Sequence, residues 1–343
     1  MGNTWVLVAL IDAVSLAAIF LFGCIGETIN EKAGNLNLGI PGVMCIGAAG
    51  GAVGSLIYMK TVYKALPINV DIVDFSFGSI ISYISLMLFV LLFVGLFAGL
   101  SGLLFSFLTT SLKANQNVTG LALTTFGAGF ADFIMGLIRT EPNKPLFTTA
   151  SKIIVFHIPF DEAALGQVGS LFLGNGLFVY IVFALAIVAF LILNKTRIGL
   201  SVRAIGENPA TADAAGINTD KYKYIATTIG CTIAGFGGFF YNMSLVGGTW
   251  ENSGTLQGFG WMVLALVIFT VWNPLLAIAG SIIFGFLNTL PYTLPDIGFV
   301  EMEFFKILPY VVTIVVLIFT SIFGKKNVLP PGSLGVNYFR EER

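Results

Sequence analysis

Charge is what this sequence has least of. Asp, Glu, Lys and Arg make up 10% of its 343 residues, where a soluble domain carries roughly 25%. So few charges cannot cover a water-facing surface, and an apolar share of 56% with 32 Phe excludes the soluble reading. With a mean hydropathy of +0.91, the chain reads as an all-α polytopic membrane protein. A basic excess is missing too. The 17 Lys and Arg stand against 18 Asp and Glu, a net charge of -1, which leaves nothing to neutralise phosphates and excludes nucleic-acid binding.

Histidine is nearly absent: His157 alone cannot assemble a His-based metal site or a catalytic triad. Cys24, Cys45 and Cys231 show no metal-ligand spacing and read as small core hydrophobes. No metal and no catalytic residue is expected in this chain. No Pro/Ser-rich linker or low-complexity block divides it, so residues 1–343 are expected to form one membrane domain. The first apolar run lacks a basic n-region and an A-x-A cleavage site, so it is expected to stay as a helix.

Runs of about 17 to 25 apolar residues fall near 4–25, 41–59, 78–110, 118–139, 174–194, 223–246, 257–272, 274–290 and 304–323. The expectation is about nine transmembrane helices, within eight to ten. The 78–110 run is long for one span and short for two, and only Val271 to Pro274 separate the seventh from the eighth. Lysine and arginine near span ends keep loops in the cytoplasm. Lys195, Arg197, Arg203 and Lys221 thus place the 195–222 loop inside, and Lys325, Lys326, Arg340 and Arg343 do the same for the 324–343 tail. Counting back puts Lys113 inside, with the 140–173 loop and the N-terminus outside. Small residues at four-residue spacing, Gly47/Gly51, Gly50/Gly54 and Gly95/Gly99, are candidates for close helix approach in lipid.

Two segments carry more than hydrophobicity. In GETINEKAGNLNLGIPG, residues 26–42, the stretch with Asn35, Asn37 and Gly39 is too polar for a regular lipid-facing helix. Pro41 then suits the first turn of a new one. This predicts a broken helix near 35–41, and irregular backbone at membrane depth is tolerated only inside protein or beside a water-filled path. Asn35 and Asn37 either face a conduit or cap a helix in an interfacial loop. In the 195–222 loop, Asn208 is a good N-cap, Pro209 fits the first helical position, and Gly216 can end a short helix in the left-handed conformation. Seven or eight residues are too few for a helix to stand alone in water. Its small side chains suit either a groove on another protein or a plain connection on the membrane surface.

These segments resemble the signature and coupling-loop motifs of permease subunits of nucleoside and simple-sugar ABC importers. LKANQNVTGLALTTFGAGF (112–130) and LPPGSLGVNYFREER (329–343) are similar to two further segments of the nucleoside branch, and the resemblance spans nearly the whole chain in order. It implies a non-enzymatic permease in a bacterial inner membrane that carries nucleosides. It also implies a separate ATPase, a second, paralogous permease and an external substrate-binding lipoprotein. The chain has no G-x-x-x-x-G-K-[ST], so ATP and Mg would be bound by the ATPase and no cofactor by this chain. By the same resemblance, Arg203, Gly206, Glu207, Asn208, Pro209, Ala214, Ala215 and Gly216 contact the ATPase. Asn35, Asn37, Gly39, Gly42, Asn117 and Gly120 fall near the translocation path. Pro41 departs from the family, which usually has Glu there, so no role of that Glu carries over.

Asp12 and Asp132 lie inside expected spans, where a carboxylate costs about 2.5–3.5 kcal/mol at the bilayer centre and is a functional candidate by default. They are the sequence support for a different class, an ion-coupled secondary transporter of a small neutral solute. Asp132, close to an outer helix end, reads as structural; Asp12 stays open between interhelical bonding and the path. Trp250 reads as an interface anchor.

Overall fold

The computed structural model describes residues 4–63, 77–154, 176–294, 298–323 and 330–339. His157, Lys325, Lys326, Arg340 and Arg343, on which sequence expectations rested, lie outside the described residues. In chain order the helices are α1 (Thr4–Lys32), α2 (Ile40–Thr61), α3 (Phe77–Ser106), α4 (Gln116–Ile138), α5 (Lys144–Ile154) and α6 (Leu177–Lys195). They continue with α7 (Arg197–Glu207), α8 (Pro209–Ala214), α9 (Thr219–Phe240), α10 (Gly254–Phe269), α11 (Pro274–Thr293), α12 (Phe299–Phe305) and α13 (Leu308–Phe323). Two π-helical turns, Phe107–Ser111 and Tyr241–Leu245, prolong α3 and α9. The long apolar run near 78–110 is thus one helix and not a hairpin.

Among the described residues, seven helices are long and apolar enough to cross a membrane: α1, α2, α3, α4, α6, α9 and α11. Length alone therefore does not reach the expected nine. Helices α10 and α13 have 16 residues each, about 24 Å at 1.5 Å per residue, against a hydrocarbon core of about 30 Å. What stops α10 is backbone geometry. Val271 and Trp272 both take positive φ, 54° and 52°, a left-handed pair that no helix continues through. Asn273 then caps α11, its Oδ1 accepting from the Leu275 N–H at 3.0 Å, with Pro274 in the first turn.

Helix α2 lies at the centre, packed on α3, α9, α4 and α10, while α1 packs on α11, α9, α10 and α6. Glycine lets α2 get this close: a Cβ on Gly47 would stand 2.3 Å from the Gly235 carbonyl oxygen of α9. The Gly47/Gly51 and Gly50/Gly54 pairs are close contacts; of the third pair, a Cβ on Gly99 would stand 3.1 Å from Thr232 Oγ1 and one on Gly95 no nearer than 3.6 Å to any neighbour. On the outside, Ile84, Leu88, Leu92, Leu96, Leu100 and Leu104 form a four-residue ladder along α3, each 46% or more exposed. In water such a stripe would be an association hazard; against lipid tails it is the expected surface.

One end of the bundle carries α7, α8 and the 330–339 segment and is called the loop end below. The other, with α5 and the α11–α13 connection, is the far end.

Candidate functional site

Four segments distant in sequence meet at the loop end. Helix α1 stops there in a Schellman turn: Gly34 has φ 83°, the Asn35 N–H reaches the Asn30 carbonyl at 3.1 Å, and the Gly34 N–H reaches that of Glu31 at 2.9 Å. The 35–39 stretch that follows is the broken segment expected from the sequence, and α2 begins at Ile40. Its backbone groups find partners far along the chain. The Leu36 N–H donates to Gln116 Oε1 at 2.7 Å, and the Leu38 carbonyl accepts from Thr124 Oγ1 at 2.8 Å.

Asn35 and Asn37 are both buried. Asn35 donates to Thr227 Oγ1 at 2.8 Å, and Asn37 donates to Cys231 Sγ at 3.4 Å while its Oδ1 accepts from the Gly39 N–H at 2.9 Å. They bind the broken segment to α9. Gly39, Gly42 and Gly120 complete that packing: a Cβ on Gly42 would meet the Leu123 carbonyl at 2.3 Å, and one on Gly120 the Leu38 nitrogen at 2.7 Å. Asn117 stands apart, exposed at the start of α4, while its neighbour Gln116 is buried and bonded.

Sequence reasoning missed the two carboxylates beneath this segment. Glu27 and Glu31, one turn apart on α1, are 0% and 3% exposed. Glu27 accepts from the Asn30 amide at 2.7 Å and from the Asn37 N–H at 3.1 Å, and Glu31 accepts from the Trp272 indole N–H. Glu27 therefore holds the broken segment, and Glu31 holds the left-handed turn between α10 and α11. Their spacing of four was the one signal available, since it places both on one helix face.

The 195–222 loop holds two helices. Asn208 caps α8 by accepting from the Thr211 N–H at 3.0 Å; Gly216, at φ 82°, ends it with Ile217 N–H on the Ala212 carbonyl at 3.1 Å. Asn208, Ala214, Ala215 and Gly216 are exposed, Pro209 is half-buried, and Ala212 alone of α8 is buried. Helix α7 was not foreseen. Thr196 Oγ1 caps it by accepting from the Gly199 N–H at 3.1 Å, and it buries Gly199, Val202, Ile205 and Gly206. Gly206 touches α1 directly, since a Cβ there would lie 2.3 Å from the Lys32 carbonyl oxygen. Arg203 and Glu207 line a cavity of about 660 Å³ with Lys32, Trp272 and Pro331.

The 330–339 segment ties these parts together. Ser333 donates from N–H and Oγ to the Gly206 carbonyl at 2.9 and 2.6 Å, and the Gly335 N–H reaches the Gly34 carbonyl at 3.2 Å. Asn337 donates to the Lys113 carbonyl at 2.7 Å and accepts from Gln116 at 3.2 Å, and Tyr338 OH donates to Asp213 at 3.0 Å. One strand of chain thus touches α8, the α7 end, the α1 end and the α3–α4 link.

At the far end, Asp132 is exposed and engaged: Trp250 Nε1 donates to it at 2.8 Å and Ser253 Oγ at 2.7 Å. This is the structural role expected of it. Near it, Arg139 stacks 5.5 Å above the Phe147 ring, and burial lowers its guanidinium from the ordinary value. Asp12 is exposed on a cavity rather than buried between helices. Among the described residues no group of three or more His, Cys, Asp or Glu side chains is placed to hold a metal.

The family described as the branched-chain amino acid transport system, permease component, matches residues 9–317. The chain is 29% identical over 331 residues to the nucleoside ABC transporter permease protein NupC of Lactococcus lactis, covering 94% of this chain and 93% of that one. It is 29% identical over 343 residues to the guanosine ABC transporter permease protein NupQ of Bacillus subtilis, covering 95% of each. A putative glucose ABC transporter permease protein of Haloferax volcanii, TsgC13, is 30% identical over 281 residues, 81% of this chain and 74% of the relative.

Proposed function

Because the chain belongs to the branched-chain amino acid transport system permease family, we propose that this multi-pass membrane protein is the permease subunit of an ATP-driven importer of nucleosides. The observation that carries the substrate class is the near full-length likeness to NupC and NupQ, both nucleoside-type permeases by name. On this reading the loop end faces the cytoplasm of a bacterial cell, and residues 1–343 act as one membrane domain. A second permease, an external binding lipoprotein and a separate ATPase, which holds ATP and Mg, complete the machine.

Helix α8 is the ATPase contact. Its exposed Ala214, Ala215 and Gly216 allow a partner surface to approach the backbone closely, and its six residues are held by caps and by Tyr338. Movement of α8 passes along the buried side of α7 to Gly206, and from there to the end of α1 by backbone contact. Asn35, Asn37, Gly39, Gly42 and Gly120 sit where that movement reaches the broken segment; they act by holding its shape. Asn117, exposed at the start of α4, remains free to meet solute or a partner permease.

The test is uptake of labelled nucleosides into proteoliposomes holding this chain with its partner ATPase, second permease and lipoprotein. ATP-dependent nucleoside uptake is expected. Uptake driven by an imposed ion gradient without ATP would overturn the proposal.

A further inference from the structure

The far end holds a cavity that the coupling machinery does not use. It has a volume of about 780 Å³ and opens between α1, α10, α11, the Tyr241–Leu245 turn and the start of α13. That lies in the range of small-molecule sites, about 300–1,000 Å³. Its lining combines Asp12, Tyr241, Asn288, Tyr292, Lys306 and Tyr310.

The chemistry of that lining is specific. Three tyrosine rings offer flat faces, and Tyr241 is fixed edge-on to Phe259 with ring centres 5.6 Å apart. The charge of Lys306 is already answered by Glu303 at 2.6 Å, a hydrogen bond that raises the ammonium above its ordinary value and keeps it protonated. The Asn288 amide donates only to the Met262 sulfur at 3.9 Å, a weak acceptor, which leaves nearly all its capacity open. Asp12 has no hydrogen bond or ion pair to any described side chain, although it lies within a span, where unpaired carboxylates are costly and mark function. The wall at Tyr241 is a π-helical turn, a distortion frequent at functional sites. The next residue on that turn, Asn242, is 1% exposed with both amide atoms unpaired.

We propose that this cavity is a binding station for a neutral nucleoside, with the base against the tyrosine rings and the Asn288 amide, and the ribose hydroxyls on the Asp12 carboxylate. It rests on the importer reading and adds a site on this chain. A fatty chain would have no use for Asp12 and Asn288, and a metal ion would need more carboxylates than the lining offers. A nucleoside uses the flat rings, the amide and the hydroxyl acceptor together.

Labelling gives a direct readout. Thr293 lines the cavity, and the three native cysteines are buried, so Thr293→Cys places one accessible thiol in the full chain. In proteoliposomes of the assembled complex, millimolar guanosine should slow its reaction with a water-soluble maleimide by about threefold or more, the protection expected when ligand exceeds its Kd. Glucose should not. In parallel, Asn288→Ala should lower the maximal rate of ATP-driven guanosine uptake by about threefold to tenfold, the effect of one lost hydrogen bond, with ATPase co-purification unchanged. If the unmodified complex imports guanosine while the labelling rate ignores it and Asn288→Ala transports normally, the station is wrong and the importer reading stands. If the thiol is blocked before guanosine is added once the second permease is present, the face is a subunit interface and the station is again wrong. Absence of ATP-driven uptake by the unmodified complex would sink the importer reading itself.

Discussion

At the loop end, segments from four parts of the chain close on one another through backbone carbonyls and short amide bonds; at the far end, three tyrosines and an unpaired carboxylate surround open space. The contrast separates two tasks. A part proposed to transmit force needs few soft degrees of freedom, and here backbone groups of distant segments pair and glycines sit against backbone, while Asn30 Oδ1, Asn35 Oδ1 and Arg203 Nε stay unpaired. A part that receives a solute needs unpaired hydrogen-bonding capacity and room. Substitutions at the first should damage assembly and coupling without regard to substrate, and substitutions at the second should do the reverse.

The largest effect is expected where backbone meets backbone. Gly206→Val pushes a branched side chain against the Lys32 carbonyl, which leaves a Cβ only 2.3 Å, and should reduce ATP-driven uptake by about a hundredfold or more, since overpacking here moves α7 off α1. Its control is Gly258→Ala on α10, where a Cβ meets nothing within 4 Å and stability should stay within about 0.5 kcal/mol. Equal loss in both would dissolve the contrast.

Next is Glu27→Leu, which strips acceptors from the Asn37 N–H and the Asn30 amide. Each stranded donor costs about 1–3 kcal/mol, so thermal unfolding in detergent should begin well below that of the unmodified chain. Glu27→Gln keeps an acceptor and should recover most of the loss.

Ala215→Arg comes third. The residue is exposed, so insertion and unfolding temperature should not change, but ATPase affinity in a pull-down titration should fall by about tenfold or more, a cost of about 1.4 kcal/mol. Unchanged affinity would remove α8 from the docking surface.

The smallest is Tyr338→Phe. It deletes one hydrogen bond to Asp213, worth about 0.5–1.5 kcal/mol, and should weaken ATPase binding severalfold while guanosine protection of the far-end thiol remains intact.

What could be read from the sequence was local. The caps of α8, Asn208, Pro209 and Gly216, lie within nine residues and mark both ends of the helix locally; the break after α1 is announced in the same way by Asn35, Asn37, Gly39 and Pro41. What could not be read was pairing at a distance. The polarity of Asn35 and Asn37 is visible in the sequence, but their partners Thr227 and Cys231 are more than 190 positions away, and only the fold shows that these amides bind helices together. Glu31 likewise finds Trp272 241 positions on. The shortness of α10 follows from two left-handed residues, Val271 and Trp272, neither of a type that advertises such a backbone.

The segment that clasps the loop end also follows helices α1 to α13 in the order of synthesis. Pro331 to Phe339 leave the ribosome after α13, so Gly206, Asp213 and Lys113 gain these partners only once α1 to α13 have been made. A chain stalled or cut before residue 331 would present an unclasped α8. Biogenesis thereby gains an order of events: the surface proposed to dock the ATPase is completed only after the helices that precede residue 330.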